Sequence, residues 1–194
     1  MSENKHQKPP SMDRFLARTP MERTLCGAGV PAHFWHPDLS RLRFRTATVR
    51  GSKFSPTAVL NGLKGYIKHP PRALPLIAVA SKPTDNGALY LAYGVMTKYI
   101  ESRGSYAAIM DAGEPNYRFD EYPSFIIIHN ILNKATDERA QTVRDLVMKF
   151  PYAFRIVVLA GVDDPEKWMV TRVGKHPDFV VKVDDFTKNE MATE

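Results

Sequence analysis

Five short apolar runs, spaced by stretches long enough for helices, constrain this chain more than any other feature. They are Leu74 to Ala80 (LPLIAVA), Tyr106 to Met110, Ser124 to Leu132 (SFIIIHNIL), Phe154 to Ala160 (FRIVVLA) and Phe179 to Val183. Runs of this length without polar alternation suit strands buried on both faces, and the three adjacent isoleucines at 126–128 favour an extended backbone. Between them, Gly87 to Arg103 predicts a helix with Leu91, Ala92, Val95, Met96, Tyr99 and Ile100 turned inward. Ala135 to Phe150 predicts a second, with Ala140, Val143, Leu146 and Val147 inside and Asp137, Glu138, Arg139, Arg144 and Asp145 in water. Pro165 to Val173 predicts a short third, with proline in its first turn. Strands alternating with helices imply an α/β fold: a three-layer, Rossmann-like domain with a mainly parallel five-stranded sheet.

The first third reads differently. Residues 1–11 are polar and proline-bearing, which predicts a disordered tail. Met12, Phe15 and Leu16 recur at helical spacing until Pro20, where a second short turn is expected. Gly27, Gly29 and Pro31 punctuate a loop leading to Phe34 and Trp35. Ser55 or Pro56 is expected to start a helix with Val59, Leu60, Leu63 and Ile67 on its apolar face, ending before Pro70. From Arg41 to Arg45 basic and apolar residues alternate, and a period of two would place Arg41, Arg43 and Arg45 on one side of an extended segment. Two readings stay open there: a stripe facing phosphates, or an edge segment pinned by Leu42 and Phe44 whose arginines keep it soluble.

With 194 residues, 43% of them hydrophobic, the chain can bury one substantial core and little more. The expected division is a flexible or partly helical segment over 1–26, one α/β domain over 27–184 and a tail over 185–194. No apolar run is long enough for a membrane span, and Cys26 is the only cysteine, so a cytoplasmic protein without an internal disulfide is expected. Charge is uneven. Residues 1–72 hold 13 Lys and Arg against 4 Asp and Glu, leaving 14 against 17 in the remainder. A basic block of this kind meets phosphates or an acidic protein surface, or is simply a solvated face. Arg41, Arg43, Arg45, Arg50, Lys53 and Arg172 are the candidates for such contacts.

Three segments, in order, resemble the DnaC/IstB-type helicase-loader branch of the AAA+ P-loop ATPases. GVPAHFWHPDLSRL (29–42) is similar to the segment preceding that family's ATPase core. LIAVASKPTDNGALYLAYGV (76–95) lies where the family has its phosphate-binding loop. SFIIIHNILNKATDERAQTVRDLVMKF (124–150) resembles its second nucleotide motif and the following helix, including the Glu138-Arg139 pair. FRIVVLA, WMVTRV and PDFVVKV then resemble its closing strand, arginine-bearing helix and last strand. The resemblance covers about residues 27–184 and implies the AAA+ (RecA-like) core and its strand order.

The departures from that pattern are consistent with one another. A working phosphate loop needs a lysine against the β and γ charges and a hydroxyl on magnesium. The matching positions, Gly87-Ala88 or Ala88-Leu89, supply neither, while Ser81 and Lys82 stand at the start of the loop. The Asp-Glu pair that would hold magnesium and activate water reads His129-Asn130, and the polar sensor position reads Ala160-Gly161-Val162. Arg172 matches the family's late arginine and is expected to pair with an acid such as Asp184. The resemblance therefore implies a pseudo-ATPase without cofactor, metal or catalytic residues. It would be a DNA-replication accessory protein of phage or mobile-element type that binds a replicative helicase or another replication protein, and single-stranded DNA as a further candidate partner. Two other classes remain: a divergent nucleotide-binding enzyme reaching the phosphates through Lys82, and a plain single-stranded DNA-binding protein.

Three smaller constellations carry weaker chemistry. Cys26, His33 and His36 have a metal-like spacing but lack a fourth ligand. Asp111, Glu114, Asp120, Glu121 and His129 suggest a two-metal cluster, yet most fall in a loop where acids are commonly solvated. Phe34 and Trp35 suit either a stacking platform for bases or, more simply, docking of the N-terminal segment on the core.

Overall fold

The computed structural model describes residues 19–38, 43–49, 52–69, 75–82, 87–104, 106–114, 117, 122–132 and 135–184, with the side chains of 43–49, 56, 59, 60 and 184 outside that description, among them Val59 and Leu60 of the expected apolar helix face. In chain order the helices are α1 (Pro20–Gly27), α2 (Pro56–Lys68), α3 (Gly87–Arg103), α4 (Asp137–Lys149) and α5 (Pro165–Trp168), which runs on into a π turn at Met169–Val173. The strands are β1 (Arg43–Val49), β2 (Ser52–Phe54), β3 (Leu76–Ser81), β4 (Ala107–Asp111), β5 (Phe125–Leu132), β6 (Phe154–Ala160) and β7 (Phe179–Asp184). They form one sheet in the order β2-β1-β7-β3-β6-β5-β4.

Strands β7, β3, β6, β5 and β4 are all parallel, so the five apolar runs make a five-stranded parallel sheet. Because side chains alternate along each strand, the runs feed two cores. Ile77, Val79, Phe125, Ile127, Phe154, Ile156 and Val181 lie on the face covered by α3. Leu76, Ala78, Ala80, Ile126, Ile128, Val157 and Leu159 lie on the opposite face, under α4 and the π turn. The handedness of parallel crossovers explains the split: β3 to β4 steps one way across the sheet, whereas β5 to β6 and β6 to β7 step back, so their helices cover opposite faces. The result is a Rossmann-like three-layer domain. Phe125 and Phe154 pair across β5 and β6 with their rings stacked, centroids 4.9 Å apart, and Tyr99 of α3 closes over both.

α3 is buried on nearly every side, including Tyr93, Gly94 and Thr97, and the Thr97 hydroxyl satisfies itself on the Tyr93 carbonyl. Its outer side is covered by the N-terminal segment. α1 starts in a capping box, Thr19 accepting from the Glu22 amide while the Glu22 carboxylate accepts from the Thr19 amide, and it buries Leu25 completely. Phe34 packs on Tyr90 and Tyr93, and the buried Trp35 donates its indole N–H to the Val30 carbonyl at 2.8 Å. Of the two readings for Phe34 and Trp35, the structure shows docking. Rings buried this way offer no platform to a base.

The other end of the sheet departs from expectation. Arg43–Val49 is an interior strand, antiparallel to both β7 and β2, so the five parallel strands are extended by a hairpin to seven. Val49 pairs directly with Ser52, a connection too short to read from a stretch dominated by charge patterning. The pairing with β7 shifts register between Phe44 and Thr46, so a plain period of two does not run through Arg45. The segment is therefore interior to the sheet, where an edge was expected; Arg41 lies outside the described residues, as do the side chains of Arg43 and Arg45.

Candidate functional site

In a doubly wound sheet, ligands meet the carboxyl ends of the strands where neighbouring crossovers leave on opposite faces. Here that switch point lies between β3, which leads to α3 on one face, and β6, which leads to α5 on the other. The two strand ends are tied by the Gly161 amide donating to the Ser81 carbonyl at 2.7 Å, with Gly161 in the left-handed region at φ 70°. Ser81 ends β3, nearly buried, and Lys82 beyond it is exposed. Residues 83–86 lie outside the described residues.

Gly87, Ala88 and Leu89 form the first turn of α3, where a phosphate loop would deliver its cation and hydroxyl. Gly87 and Ala88 are buried, Ala88 completely, and Leu89 packs against the same core. This turn is consequently committed to packing.

The second motif is altered by geometry as well as by residue type. Opposite β6, Ile128 pairs with Val157 and Ile131 with Leu159, so β5 carries one extra residue in a bulge at His129-Asn130. Asn130 holds φ at 63°, a left-handed conformation that asparagine tolerates better than most residues. The bulge keeps both Ile128 and Ile131 in the core under α4. It also points the Asn130 amide away from the switch point, toward the outer strand β4, where its Nδ2 donates to Asp111 Oδ1 at 2.8 Å and Oδ2 at 3.0 Å.

Asp111 is the centre of a polar clamp. Its Oδ1 also accepts from the Gly113 amide at 2.7 Å, and its carbonyl accepts from the Tyr117 hydroxyl at 2.5 Å. Arg139 of α4 donates to the Asn130 carbonyl at 3.2 Å. A Cβ on Gly113 would stand 3.1 Å from Asp111 Oδ1 and 3.4 Å from Arg139 Nη2, so glycine keeps the clamp closed without crowding. Burial, then the negative charge of Asp111, pushes the Tyr117 phenol well above the usual tyrosine range; Glu114 adds slightly, and the bond to the Asp111 carbonyl opposes. The sequence signal for this cluster was present in the turn-forming Asp111-Ala112-Gly113 and in an asparagine inside an apolar strand, but nothing in it joined the two.

Arg172 lies in the π turn. Its guanidinium donates to Asp137 Oδ1 at 2.6 Å and to the Ala135 carbonyl at 2.8 Å, fixing the turn to the start of α4. The expected partner type is present, but it is Asp137, across the helical layer, in place of Asp184 on β7. Asp137 is almost fully exposed, so its ion pair stabilises little and the carbonyl contact fixes the geometry. Beside it, Val162, Asp163, Asp164, Lys167, Trp168 and Thr171 complete a shallow cleft of about 360 Å³ with Arg172. Of the residues at the sensor position, Val162 alone lines it. Asp164 is spent as the cap of α5, accepting from the Lys167 amide, and the Lys182 ammonium donates to the Asp163 carbonyl.

The other candidates are scattered. Lys53 is exposed on β2, and Arg43 and Arg45 belong to the β1 backbone next to it, at the opposite end of the sheet from the clamp. Arg50 lies outside the described residues. His36 is bonded to Glu22 at 3.0 Å and His33 rests on Phe34, so neither converges with Cys26. Asp120 and Glu121 lie outside the described residues; among the described ones no three His, Cys, Asp or Glu side chains gather as a metal site. No described helix is long and apolar enough to cross a membrane.

Fold and site together define a doubly wound, three-layer α/β protein whose switch-point crevice is flanked by a packed helix start and a bulged strand. Compared with known proteins, the chain matches no family model and no curated protein.

Proposed function

We propose that this protein is a replication accessory factor of the helicase-loader type that has given up ATP hydrolysis and acts by binding a replicative helicase or another replication protein. Numbered along the chain, the five parallel strands run 5-1-4-3-2, in agreement with the strand order that the AAA+ resemblance implies. One observation carries the reading: the side chain in the water-activating position, Asn130, is turned from the crevice and bound to Asp111. Phosphoryl transfer works by positioned charge, and a neutral amide aimed at the far strand supplies none. The first turn of α3 contributes no cation or hydroxyl to compensate.

The test has two arms. Calorimetry with ATP and Mg²⁺, followed by a phosphate-release assay, is expected to give neither heat nor product. Micromolar binding abolished by Lys82→Ala would overturn the reading in favour of a divergent nucleotide enzyme. Size-exclusion chromatography with a hexameric replicative helicase is expected to give co-elution without nucleotide, and clean separation from helicase and other replication proteins would refute the accessory role.

A further inference from the structure

We propose that the amino-terminal ends of β4, β5 and β6, with the last turn of α4, form a two-fold contact through which the protein pairs with a second copy of itself. This goes beyond the reading above and does not depend on it, because the patch lies at the opposite end of the parallel strands from the switch-point crevice.

Of the seven large apolar or aromatic side chains that the described residues leave exposed, four gather here: Tyr106, Tyr122, Met148 and Tyr152, at 42, 52, 53 and 74% exposure. The sheet register brings them together. Ala107, Phe125 and Phe154 stand in one row across β4, β5 and β6, and a tyrosine precedes each of them by one to three residues. The row is fixed by its own hydrogen bonds. Both the amide and the hydroxyl of Ser124 donate to the Tyr106 carbonyl at 3.0 Å, and the Phe154 amide donates to the Ser124 carbonyl at 2.8 Å. Tyr122 stands edge-on to Phe150 with centroids 5.2 Å apart, and its hydroxyl donates to the Lys149 carbonyl at 3.4 Å. Met148 and Tyr152 flank Phe150 along the chain, two residues to either side. A ring held as Tyr122 is has little freedom left to lose on contact. At roughly 200 Å² for a whole residue of this size, the four leave about 450 Å² in water, more than half of the ~800 Å² that each partner brings to a standard interface.

Charge selects the occupant. Segments 104–110, 122–128 and 150–154 hold no Asp, Glu, Lys or Arg, in a chain of which 25% is charged. The described cations bordering them are engaged by the protein itself: Arg103 with the carbonyls of Ile67 and Lys68, Lys149 over the Phe150 ring at 5.6 Å, and the half-buried Arg155 with the Val147 carbonyl at 3.2 Å. A nucleic acid or an acidic protein thus meets no cation turned toward it at this corner. Two copies, each with a net charge of +6, repel over much of their surface, and a neutral corner is where they can approach. Across a two-fold axis the patch faces itself, tyrosine against tyrosine, each phenol able to donate and to accept. Poverty in charge with an excess of tyrosine and methionine is the composition of an interface centre. A second copy carries that matching surface by construction, and pairing this way leaves both crevices open.

The experiment is sedimentation velocity of the full chain between about 1 and about 500 µM. The weight-average mass should rise from one chain to two with a Kd on the order of 10 µM, as befits a contact at the small end of the specific range. Tyr152→Ser and Met148→Ser, both at exposed positions, should each raise that Kd at least about tenfold with an unchanged circular dichroism spectrum. Phe54→Ser, on the exposed strand at the other end of the sheet, should leave it as it was. A chain that stays single at about 500 µM overturns the proposal, as does a dimer that both patch variants leave intact or that Phe54→Ser weakens equally. Growth beyond two chains also overturns it, because a two-fold contact closes on itself. The variants leave Ser81 to Leu89 and Asn130 untouched, so their result is independent of the nucleotide and helicase arms above.

Discussion

Replacing Asn130 separates the three things that residue does: it accepts a left-handed backbone, it donates to Asp111, and it brings no charge. Asn130→Gly loses the two bonds of 2.8 and 3.0 Å but relieves the φ of 63°. A hydrogen bond to a charged acceptor contributes about 1.5–3 kcal/mol when buried, and the exposure of Asn130 reduces this to about 1 kcal/mol. Asn130→Ala loses the same bonds and adds a left-handed strain of about 1–2 kcal/mol, for a total of about 2–3 kcal/mol. Asn130→Asp tolerates the backbone but sets a second carboxylate against Asp111. At about 4 Å that repulsion is between about 1 and about 4 kcal/mol, depending on how much water screens it. The new carboxyl therefore has a folded pKa raised above its unfolded value, near 3.9. Its penalty is present at pH 7 and disappears as pH falls through the raised value toward 4, where the folded protein holds the extra proton. Urea unfolding followed by circular dichroism should rank wild type above Gly, and Gly above Ala and Asp, at pH 7. Measured against wild type at each pH, Asp alone should recover at pH 4. An aspartate variant as stable as wild type at pH 7, or a glycine variant falling as far as alanine, would refute the clamp.

Tyr117→Phe removes the hydroxyl bonded to the Asp111 carbonyl and should cost about 1 kcal/mol at pH 7. Since the folded phenol is held above its ordinary range, its contribution is full below pH 10 and lost at higher pH as the unfolded chain ionises. The variant should therefore lose less stability than wild type between pH 9 and 11; equal losses in both would show that the raised phenol contributes nothing. Trp35→Phe keeps the ring's bulk but strips the Val30 carbonyl of its buried donor, and should lower the urea-derived stability by about 1–3 kcal/mol. A change below about 0.5 kcal/mol would mean that another donor reaches that carbonyl.

The parallel core was legible because burial on both faces leaves an unmistakable pattern. FRIVVLA at 154–160 and Gly87 to Arg103 are bounded in the structure where the residue types change. Period-two reading fails wherever a residue is inserted. The bulge at His129-Asn130 is invisible in FIIIHNIL, since Ile131 reads as apolar whichever face it takes, and the pairing that reveals it is with a strand distant in sequence. The same is true at Arg45, where the pairing with β7 shifts register within a segment that reads as plain alternation. The hairpin of β1 and β2 was missed for another reason: strands rich in arginine and threonine are specified by their partners more than by their own composition. Arg172 illustrates the limit for sites. Its charge demanded a carboxylate, but only the packing of the π turn on α4 decides that Asp137 supplies it.

The cover over α3 sets an order of events during synthesis. Leu25, Phe34 and Trp35 leave the ribosome some 50 residues before the helix they pack on, so they wait, greasy and unshielded, until residues 87–103 and the strands beneath them have emerged. This covering layer is thus made before the surface it covers. A cell producing this protein holds a sticky leading segment for as long as translation of the core takes, and any pause in that interval is when the nascent chain is most open to chaperones and to clumping.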